Sequence, residues 1–251
     1  MKIGIIGTGA IGGTIAKKMS AAGHQVKVNN TGNIDKLNAL AQELGATAAH
    51  QKEVVKDVDV ILLAIPTIAI PTLPKDLFAE VPQNVIVVDT SNYYPFRDAD
   101  MEEIKNGQVE SVWVSEQLGR PVIKAFNNLL AETLASGGKK PGDDDRIAMA
   151  IAGDDAEAKK VIAGLVDDAG YDPVDSGTLS ESWRHQPGTP AYCTELNAAE
   201  LRQALADGVK DDAPILRDKA IAELSAMSSY PSHPEVVKFN RALFDKNPKT
   251  K

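Results

Sequence analysis

The first twelve residues of the chain form a short apolar segment that runs directly into a glycine-rich turn. Ile3, Ile5 and Ile6 precede residues 7–12, which read Gly-Thr-Gly-Ala-Ile-Gly. In this G-x-G-x-x-G spacing the first glycine permits a tight turn, the second lets the backbone approach a pyrophosphate, and the third lets a helix pack close to the strand. The N–H groups and dipole of that helix favour negatively charged phosphates. The apolar strand before the turn and the helical spacing after it favour a dinucleotide-binding unit over a purely structural turn.

Composition limits the classes of protein that the chain can belong to. The chain has 251 residues, of which 43% are hydrophobic and 25% charged, as expected for a globular protein with one large domain and an appendage. The net charge of −8 argues against a nucleic-acid partner, since binding phosphates along a nucleic acid needs a basic face. The longest apolar runs, residues 58–65 and 85–88, are far shorter than the ~20 residues that span a bilayer, so we expect no membrane segment.

Cysteine and histidine usage gives two further expectations. Cys193 is the single cysteine, which excludes an internal disulfide and favours the reducing cytoplasm. Because the first apolar stretch reads as a strand of the fold, we expect no secretory signal. With four histidines and no C-x-x-C or H-E-x-x-H motif, we expect no metal site.

Strand-like and helix-like patterns alternate along the first 178 residues. Strands are predicted, after the first, at residues 24–28, 59–65, 84–89, 121–126, 146–152 and 171–174. Helices are predicted at residues 10–22, 34–44, 101–106, 110–118 and 155–169. Continuously apolar strands suit a parallel sheet that is buried on both faces. Residues 1–178 are therefore predicted to form an α/β, doubly wound Rossmann domain.

The pattern changes beyond residue 178. Helices with thin apolar stripes are predicted at residues 195–205, 214–227 and 234–244. We expect residues 179–251 to form a helical C-terminal segment or lid, packed either on the Rossmann body or on a second subunit. The second case predicts a homodimer.

The turn after the second predicted strand carries no acidic residue. In an NAD-binding domain, a carboxylate about 20 residues after the glycines binds the ribose 2′-hydroxyl. Asn29, Asn30 and Thr31 occupy that place here, and the first acid is Asp35. Amide and hydroxyl donors, with Lys36 one helical turn beyond, favour NADP(H). The alternative is that Asn30 and Thr31 only form the turn, because both residue types favour turns and caps and the arginine usual in NADP sites is also missing.

Six segments, in order along the chain, resemble the NADP oxidoreductase family named for coenzyme F420. They are residues 7–12 (GTGAIG), 63–66 (LAIP), 88–95 (VDTSNYYP), 122–127 (VIKAFN), 152–156 (AGDDA) and 170–177 (GYDPVDSG). The resemblance covers about residues 1–182, and a more distant one is to the reductase domain of the STEAP metalloreductases. It implies a Rossmann domain with a small C-terminal part, NADP(H) along the strand ends, and direct hydride transfer between the nicotinamide and an acceptor ring.

The resemblance also implies roles for individual residues. Pyrophosphate contacts are implied at Gly7, Thr8, Gly9, Ala10, Ile11 and Gly12, and 2′-phosphate contacts at Asn30, Thr31 and Lys36. Contacts with ribose and nicotinamide are implied at Ala64, Ile65, Pro66, Asn92, Ala125 and Asn127, at strand ends where a doubly wound sheet places its ligand crevice. For Pro66 and Asn92 the alternative is that they only form turns, because proline and asparagine are common turn residues.

The segment 181–192 concentrates aromatic and basic residues. Trp183, Arg184, His185 and Tyr192 combine aromatic surface, a fixed cation and an imidazole, which suits a planar anionic substrate. His185 is the candidate catalytic residue for proton transfer, because histidine titrates near neutrality. The alternative is an interface or lid that packs Trp183 into a core and leaves Arg184 and His185 on the surface.

These observations predict an NADP(H)-dependent oxidoreductase that transfers hydride between nicotinamide and a small planar acceptor such as a deazaflavin or flavin. One alternative is a non-catalytic NADP(H)-binding redox sensor or partner module. Another is a β-hydroxyacid or imine-type dehydrogenase, although those enzymes have a longer helical C-terminal domain than the residues left here.

Overall fold

The structure, a computed structural model, describes residues 1–229 and 231–244. Its strands are β1 (Lys2–Ile6), β2 (Gln25–Asn29), β3 (Thr47–Ala48), β4 (Val60–Leu63), β5 (Ile86–Asp89), β6 (Ile123–Lys124), β7 (Ala148–Ile151) and β8 (Asp172–Asp175). Its helices are α1 (Ala10–Ala21), α2 (Ile34–Leu44), α3 (Gln51–Val54), α4 (Pro95–Asp98), α5 (Glu102–Lys105), α6 (Glu110–Leu118), α7 (Ala131–Ser136), α8 (Ala156–Asp168), α9 (Ala198–Asp207), α10 (Ala213–Ser225) and α11 (His233–Ala242). Two 3-10 helices span Thr67–Thr72 and Leu179–His185.

Six strands form one parallel sheet in the order β3-β2-β1-β4-β5-β6. The chain order reverses between β1 and β4, so the loops that leave these two strands diverge and open a crevice at their carboxyl ends. This architecture confirms the predicted doubly wound Rossmann fold.

The last two strands lie outside that sheet. β7 and β8 pair in parallel with each other, and β7 joins β6 only through an antiparallel bridge between Lys124 and Ala152. The two backbone N–H···O bonds of this bridge measure 2.8 and 3.0 Å. The sequence predicted the strand at 146–152 but not its reversal, because an apolar run has no direction.

Both faces of the main sheet are buried, which explains its continuously apolar strands. On β4, Val60 and Leu62 contribute to the cluster beneath α1 and α2, whereas Ile61 and Leu63 contribute to the cluster on the opposite face. Successive side chains of a strand point to opposite faces, so each position needs an apolar residue when both faces are covered.

The C-terminal helices pack on the Rossmann body. Leu201 and Leu205 of α9 share a buried cluster with Ala150 of β7 and Val174 of β8. Residues 179–244 therefore complete a core that the preceding strands begin. The boundary after residue 178 stays a prediction, and residue 230 and residues 245–251 of the predicted C-terminal segment lie outside the described residues.

Across residues 1–229 and 231–244, no helix combines the length and the apolar composition that crossing a bilayer requires.

Candidate active site

The glycine turn separates into two structural glycines and one that faces open space. Gly7 has φ +103°, and a Cβ there would lie 2.2 Å from the Ala64 backbone oxygen. A Cβ on Gly12 would lie 2.0 Å from the Gly7 backbone oxygen. A Cβ on Gly9 would meet no atom within 4 Å. Packing alone thus requires glycine at positions 7 and 12, whereas position 9 has the free space at the start of α1 that a pyrophosphate needs.

A cleft of about 330 Å³ lies beside Gly9, at the carboxyl ends of β1, β4, β5 and β6. Its lining includes eight of the residues singled out from the sequence as cofactor contacts: Gly9, Ala10, Ile11, Ala64, Ile65, Pro66, Asn92 and Asn127. Gly7 and Gly12 lie behind this surface. Ala125 is fully buried and does not line the cleft, because the chain turns at Phe126, whose φ is +60°, and brings that residue to the cleft instead.

Phe126 belongs to the segment from Ala125 to Asn127 that was predicted to face the nicotinamide. Other lining residues were not predicted: Thr90, Ser91, Tyr94, Arg97, Leu129, Leu130, Ala131 and Cys193. Most of them follow the ends of β5 and β6, the same position that identified Pro66 after β4. The rule that ligands bind beyond the carboxyl ends of parallel strands, applied to every strand, would have found these residues.

The turn after β2 is held by Asn30. Its Nδ2 donates to Thr8 Oγ1 at 2.6 Å, and its Oδ1 accepts from the Gly32 backbone N–H at 2.9 Å. Asn30 therefore links this turn to the glycine turn. Thr31 and Lys36 are exposed, and their side chains make no hydrogen bond within the described ranges, so these polar groups are available to a ligand.

Asn92, Asn127 and His185 form a network at the inner end of the cleft. Asn127 Nδ2 donates to Asn92 Oδ1 at 3.0 Å and to the His185 backbone oxygen at 2.8 Å, while Asn127 Oδ1 lies 2.8 Å from His185 Nδ1. Because both hydrogens of Nδ2 are used, Nδ1 of His185 must carry the proton that Asn127 Oδ1 accepts. This network connects the β6 end to the 3-10 helix Leu179–His185.

The expectation that His185 titrates near neutrality is wrong. The residue is fully buried, and burial together with the positive charge of Lys124 lowers the pKa of His185 from 6.5 to about 3. Its Nε2 has no hydrogen-bond partner within the described part of the chain. His185 is therefore a neutral residue that holds Asn127, and its ring is unsuited to exchanging a proton with a substrate near pH 7.

A buried ion pair supports the floor of the cleft. Lys124 Nζ lies 3.0 Å from Asp89 Oδ2 and also donates to the Ser91 backbone oxygen, and both charged side chains are 1% exposed or less. Burial alone would raise the pKa of Asp89, but the charge of Lys124 and hydrogen bonds from Ser111 and Ser91 outweigh it and hold that pKa below its usual value. The pair fixes the ends of β5 and β6 relative to each other.

Two of the three predicted substrate residues do not reach the cleft. Trp183 is 7% exposed and packs beneath the end of α9, beside Gly208. Arg184 stacks on the Trp183 ring with its guanidinium 4.5 Å from the ring centroid, and it donates to the Leu205 backbone oxygen at 3.1 Å. The 3-10 helix turns this aromatic and basic surface toward α9, which matches the alternative in which Trp183 packs into a core. Arg184 is half-buried and His185 buried, however, so neither is left on the surface as that alternative supposed.

Tyr192 does line the cleft, and it is paired with Tyr94. The two hydroxyl oxygens lie 2.6 Å apart, and Asn92 Nδ2 donates to the Tyr192 hydroxyl at 3.4 Å. Burial raises the pKa of both phenols above the usual value of 10, so both hydroxyls carry their protons at neutral pH. Burial also raises the pKa of the neighbouring Cys193 thiol to about 12, so this cysteine packs as a small apolar residue.

The remaining histidines lie away from the cleft. His24 contacts Asp168 at 3.0 Å, and His233 contacts Glu195 at 2.9 Å. Within the described residues, no three His, Cys, Asp or Glu side chains are grouped as a metal site would require.

Known proteins resemble this chain in sequence. The family model described as NADP oxidoreductase coenzyme F420-dependent matches residues 2–93. "Putative protein YjhV" of Escherichia coli is 36% identical over 124 residues, which are 49% of this chain and 83% of that protein. Metalloreductase STEAP3 of Rattus norvegicus is 28% identical over 182 residues, which are 72% of this chain but only 35% of that protein.

Solved structures resemble the chain in fold. "Hypothetical protein SMa0349" from Sinorhizobium meliloti superimposes with a TM-score of 0.66 at 30% identity, over 78% of this chain and 95% of that one. A "putative f420 dependent nadp-reductase" from Arthrobacter sp. fb24 superimposes with a TM-score of 0.61 over 92% of this chain and 96% of that one, and its 21% identity supports the fold alone. The family match over the glycine turn and strand ends, with a 36%-identical relative covered over most of its length, shows that the chain belongs to the coenzyme F420-dependent NADP oxidoreductase family and is an NADP-dependent oxidoreductase.

Proposed function

We propose that the chain transfers hydride between NADP(H), held along the cleft, and a small planar acceptor, such as a deazaflavin, a flavin or a similar ring, bound at the end lined by Tyr94 and Tyr192. The observation that carries this proposal is the free space at Gly9, at the mouth of a cleft that ends in two protonated phenols. One end of the cleft suits phosphates, and the other suits an uncharged ring with a polar atom.

In this proposal the glycine turn, Gly7 to Gly12, holds the pyrophosphate through backbone N–H groups at the start of α1. Thr31 and Lys36 contact the 2′-phosphate, because their side chains are exposed beside the turn that Asn30 ties to Thr8. The ribose and nicotinamide lie against Ala64, Ile65, Pro66, Asn92 and Asn127. Ala125 contributes only by shaping the strand end behind Phe126.

When bound, NADPH supplies the hydride, and the protein supplies position and a dry surface. Asn127, fixed by His185 and Asn92, keeps the ends of β5 and β6 in place. Ala64, Ile65 and Phe126 give this part of the cleft an apolar wall that limits the access of water.

Cofactor choice and turnover are tested separately. Calorimetric titration with NADPH and NADH measures the first, and NADPH binding at least tenfold tighter is expected. Absorbance of NADPH during incubation with a deazaflavin, riboflavin and a quinone measures the second. Equal affinities would contradict the NADP assignment. Tight NADPH binding without oxidation by any acceptor would favour the non-catalytic binding module.

We also propose that the chain forms a homodimer through the outer face of α10. Ile215 on α10 is 67% exposed, and Val209 before the helix and Met227 after it are 56% and 43% exposed, which leaves three large apolar side chains in this region in contact with water. Light scattering after gel filtration tests this proposal. An Ile215→Glu variant should be monomeric, and a wild-type monomer would contradict it.

A further inference from the structure

A second cavity, of about 120 Å³, lies on the far side of the tyrosine pair. It is partly open to solvent and is lined by residues 187–189, 192 and 193 and by side chains of α10 and α11. Tyr94, Leu130, Tyr192 and Cys193 line both this cavity and the cofactor cleft. The two phenols therefore stand at the boundary between the two spaces.

Most of the cavity wall is apolar. Its apolar side chains are Leu130, Pro187, Ala220, Ile221, Leu224, Val236, Leu243 and Phe244. A ligand that fits it gains by burying an apolar body, as small-molecule sites generally do.

Two of the other polar side chains of the wall have partners within the protein. Asn240 Nδ2 donates to the Cys193 backbone oxygen at 3.1 Å, and Thr189 Oγ1 donates to the Gln186 backbone oxygen at 2.8 Å. Arg217 uses Nε to donate to Asp218 at 2.8 Å, its guanidinium lies over the Tyr93 ring at 5.3 Å, and it lines the cavity but not the cleft. The Tyr94 and Tyr192 hydroxyls line both spaces, so they can orient a ligand that reaches from the cavity to the cleft.

One of the two hydroxyl hydrogens of the tyrosine pair is not used in the bond between the two hydroxyls. Each phenol brings one hydrogen, and the 2.6 Å contact between the hydroxyls uses one of the two. Among the residues that the structure describes, Asn92 Nδ2 donates to the Tyr192 hydroxyl rather than accepting from it, and the neighbouring Cys193 sulfur is a weak acceptor for the Tyr192 hydrogen. When Tyr94 donates to Tyr192, the Tyr192 hydrogen can therefore leave the weak sulfur contact and bond to an oxygen of a ligand.

The volume limits the size of that ligand. An engineered protein cavity of roughly 150 Å³ holds one benzene molecule. At about 120 Å³ the present cavity can surround one ring, and a fused tricyclic system would extend beyond its walls into solvent.

We propose that this cavity binds the ring of a single-ring carbonyl compound, with its carbonyl group at the tyrosine pair, and that Tyr192 is the proton donor. The inference rests on the proposed function for its source of hydride. The carbonyl carbon receives a hydride with two electrons from NADPH, which becomes NADP⁺. The C=O π electrons move to oxygen, which takes the Tyr192 proton to give an alcohol. The Tyr192 oxygen regains a proton from Tyr94, and Tyr94 regains one from solvent.

Benzaldehyde is the probe for the binding step, measured by calorimetry with the chain saturated by NADP⁺. Ile221→Trp fills the cavity and should weaken benzaldehyde binding at least tenfold. Ala222→Trp adds the same side chain at the next position of α10, which is exposed, and should leave binding unchanged. Affinity for NADP⁺ should be the same in all three proteins. Unchanged benzaldehyde binding in Ile221→Trp would overturn the assignment of the cavity.

Tyr192→Phe tests the proton donor. General acids contribute roughly 10²–10⁴-fold to rate, so kcat for benzaldehyde reduction should fall by about that factor while KM and NADPH affinity change less than threefold. Tyr94→Phe should cost less, because solvent can replace its role. Wild-type turnover by Tyr192→Phe would overturn the proposal.

The acceptor panel separates this inference from the proposed function. If riboflavin but not benzaldehyde oxidises NADPH, the single-ring assignment is wrong and the proposed function stands. If no acceptor oxidises NADPH, the proposed function falls, and benzaldehyde binding that is lost in Ile221→Trp alone still supports the cavity as a ring-binding site.

Discussion

Replacing the glycines of the turn by alanine, one at a time, distinguishes glycines that are needed for folding from one that is needed for cofactor binding. At Gly12 the added Cβ would lie 2.0 Å from the Gly7 backbone oxygen, where contacts below 3.0 Å essentially never occur, so α1 and the turn must move apart by at least 1 Å. Overpacking of this kind costs about 1–3 kcal/mol, and more when backbone must shift. For a chain of this length each kcal/mol lowers Tm by roughly 2–4 °C, so Gly12→Ala should melt about 2–12 °C lower.

At Gly9 the same methyl group meets no atom of the protein within 4 Å. The backbone there has φ −69° and ψ −168°, which alanine adopts without strain. The loss of about 0.5–1 kcal/mol from placing alanine at a helix N-cap is offset by the similar gain from a stiffer unfolded chain. Gly9→Ala should therefore keep the wild-type Tm within about 2 °C. The methyl group occupies the space assigned to the pyrophosphate, so NADPH should bind at least tenfold more weakly.

Gly13→Ala is the matched control. It lies inside α1, and its added Cβ would make an ordinary 3.4 Å contact with the Thr8 backbone oxygen. Alanine in a helix interior stabilises by about 0.5–1 kcal/mol relative to glycine, so Tm should rise while NADPH affinity stays the same. Melting is followed by circular dichroism and binding by NADPH fluorescence. If Gly9→Ala folds normally and binds NADPH as tightly as the wild type, the turn does not hold the pyrophosphate.

Three further changes test the supports of the cleft. Lys124→Met leaves the Asp89 carboxylate buried without its partner, which should cost about 3–5 kcal/mol in urea unfolding, and a loss below 1 kcal/mol would contradict the role of the pair. Burial raises the pKa of Glu110 from 4.5 to about 7, so the native state binds more protons than the unfolded chain between these values. Taken alone, Glu110 should lower stability by about 3 kcal/mol from pH 4.5 to pH 7, whereas His185, with its lowered pKa, acts in the opposite direction below pH 6.5. Urea unfolding of the wild type and of Glu110→Gln should therefore differ in pH slope by about that amount, and identical slopes would contradict the raised pKa of Glu110. Thr31→Arg should tighten NADPH but not NADH in calorimetric titration, because a guanidinium pairs with a phosphate beside Lys36, and equal tightening of both would refute the placement of the 2′-phosphate.

The sequence predicted the position of a site residue best where that position depends on short-range spacing along the chain. The strand, glycine turn and helix of residues 2–21 follow one another without a gap, so their order fixes their geometry. Pro66 and Asn92 follow strands whose register in a parallel sheet is set by burial on both faces, so their placement beside the turn followed from the fold class.

Prediction failed where the answer depended on contacts between distant segments. Trp183 and Tyr192 are nine positions apart in one irregular segment, and no periodicity tells which of them faces the cleft. The structure decides it through α9, which covers Trp183, and through Tyr94, whose hydroxyl meets that of Tyr192 across 98 positions of sequence. The pKa of His185 depends in the same way on burial that the sequence does not encode locally.

The site is thus assembled from two parts of the chain with different tasks. The ends of β1, β4 and β5 provide the phosphate turn and most of the cleft, while the segment after the 3-10 helix Leu179–His185 provides Tyr192. A hydrogen-bonded path from His185 through Asn127 to Asn92, and from Asn92 to the Tyr192 hydroxyl, connects the parts. A neutral imidazole suits this path better than a titrating one, because protonation would place a buried positive charge near Lys124. Burial makes His185 unsuitable for proton transfer. Because the same burial keeps the imidazole neutral, the hydrogen bonds that connect the acceptor end of the cleft to the cofactor end stay the same across neutral pH.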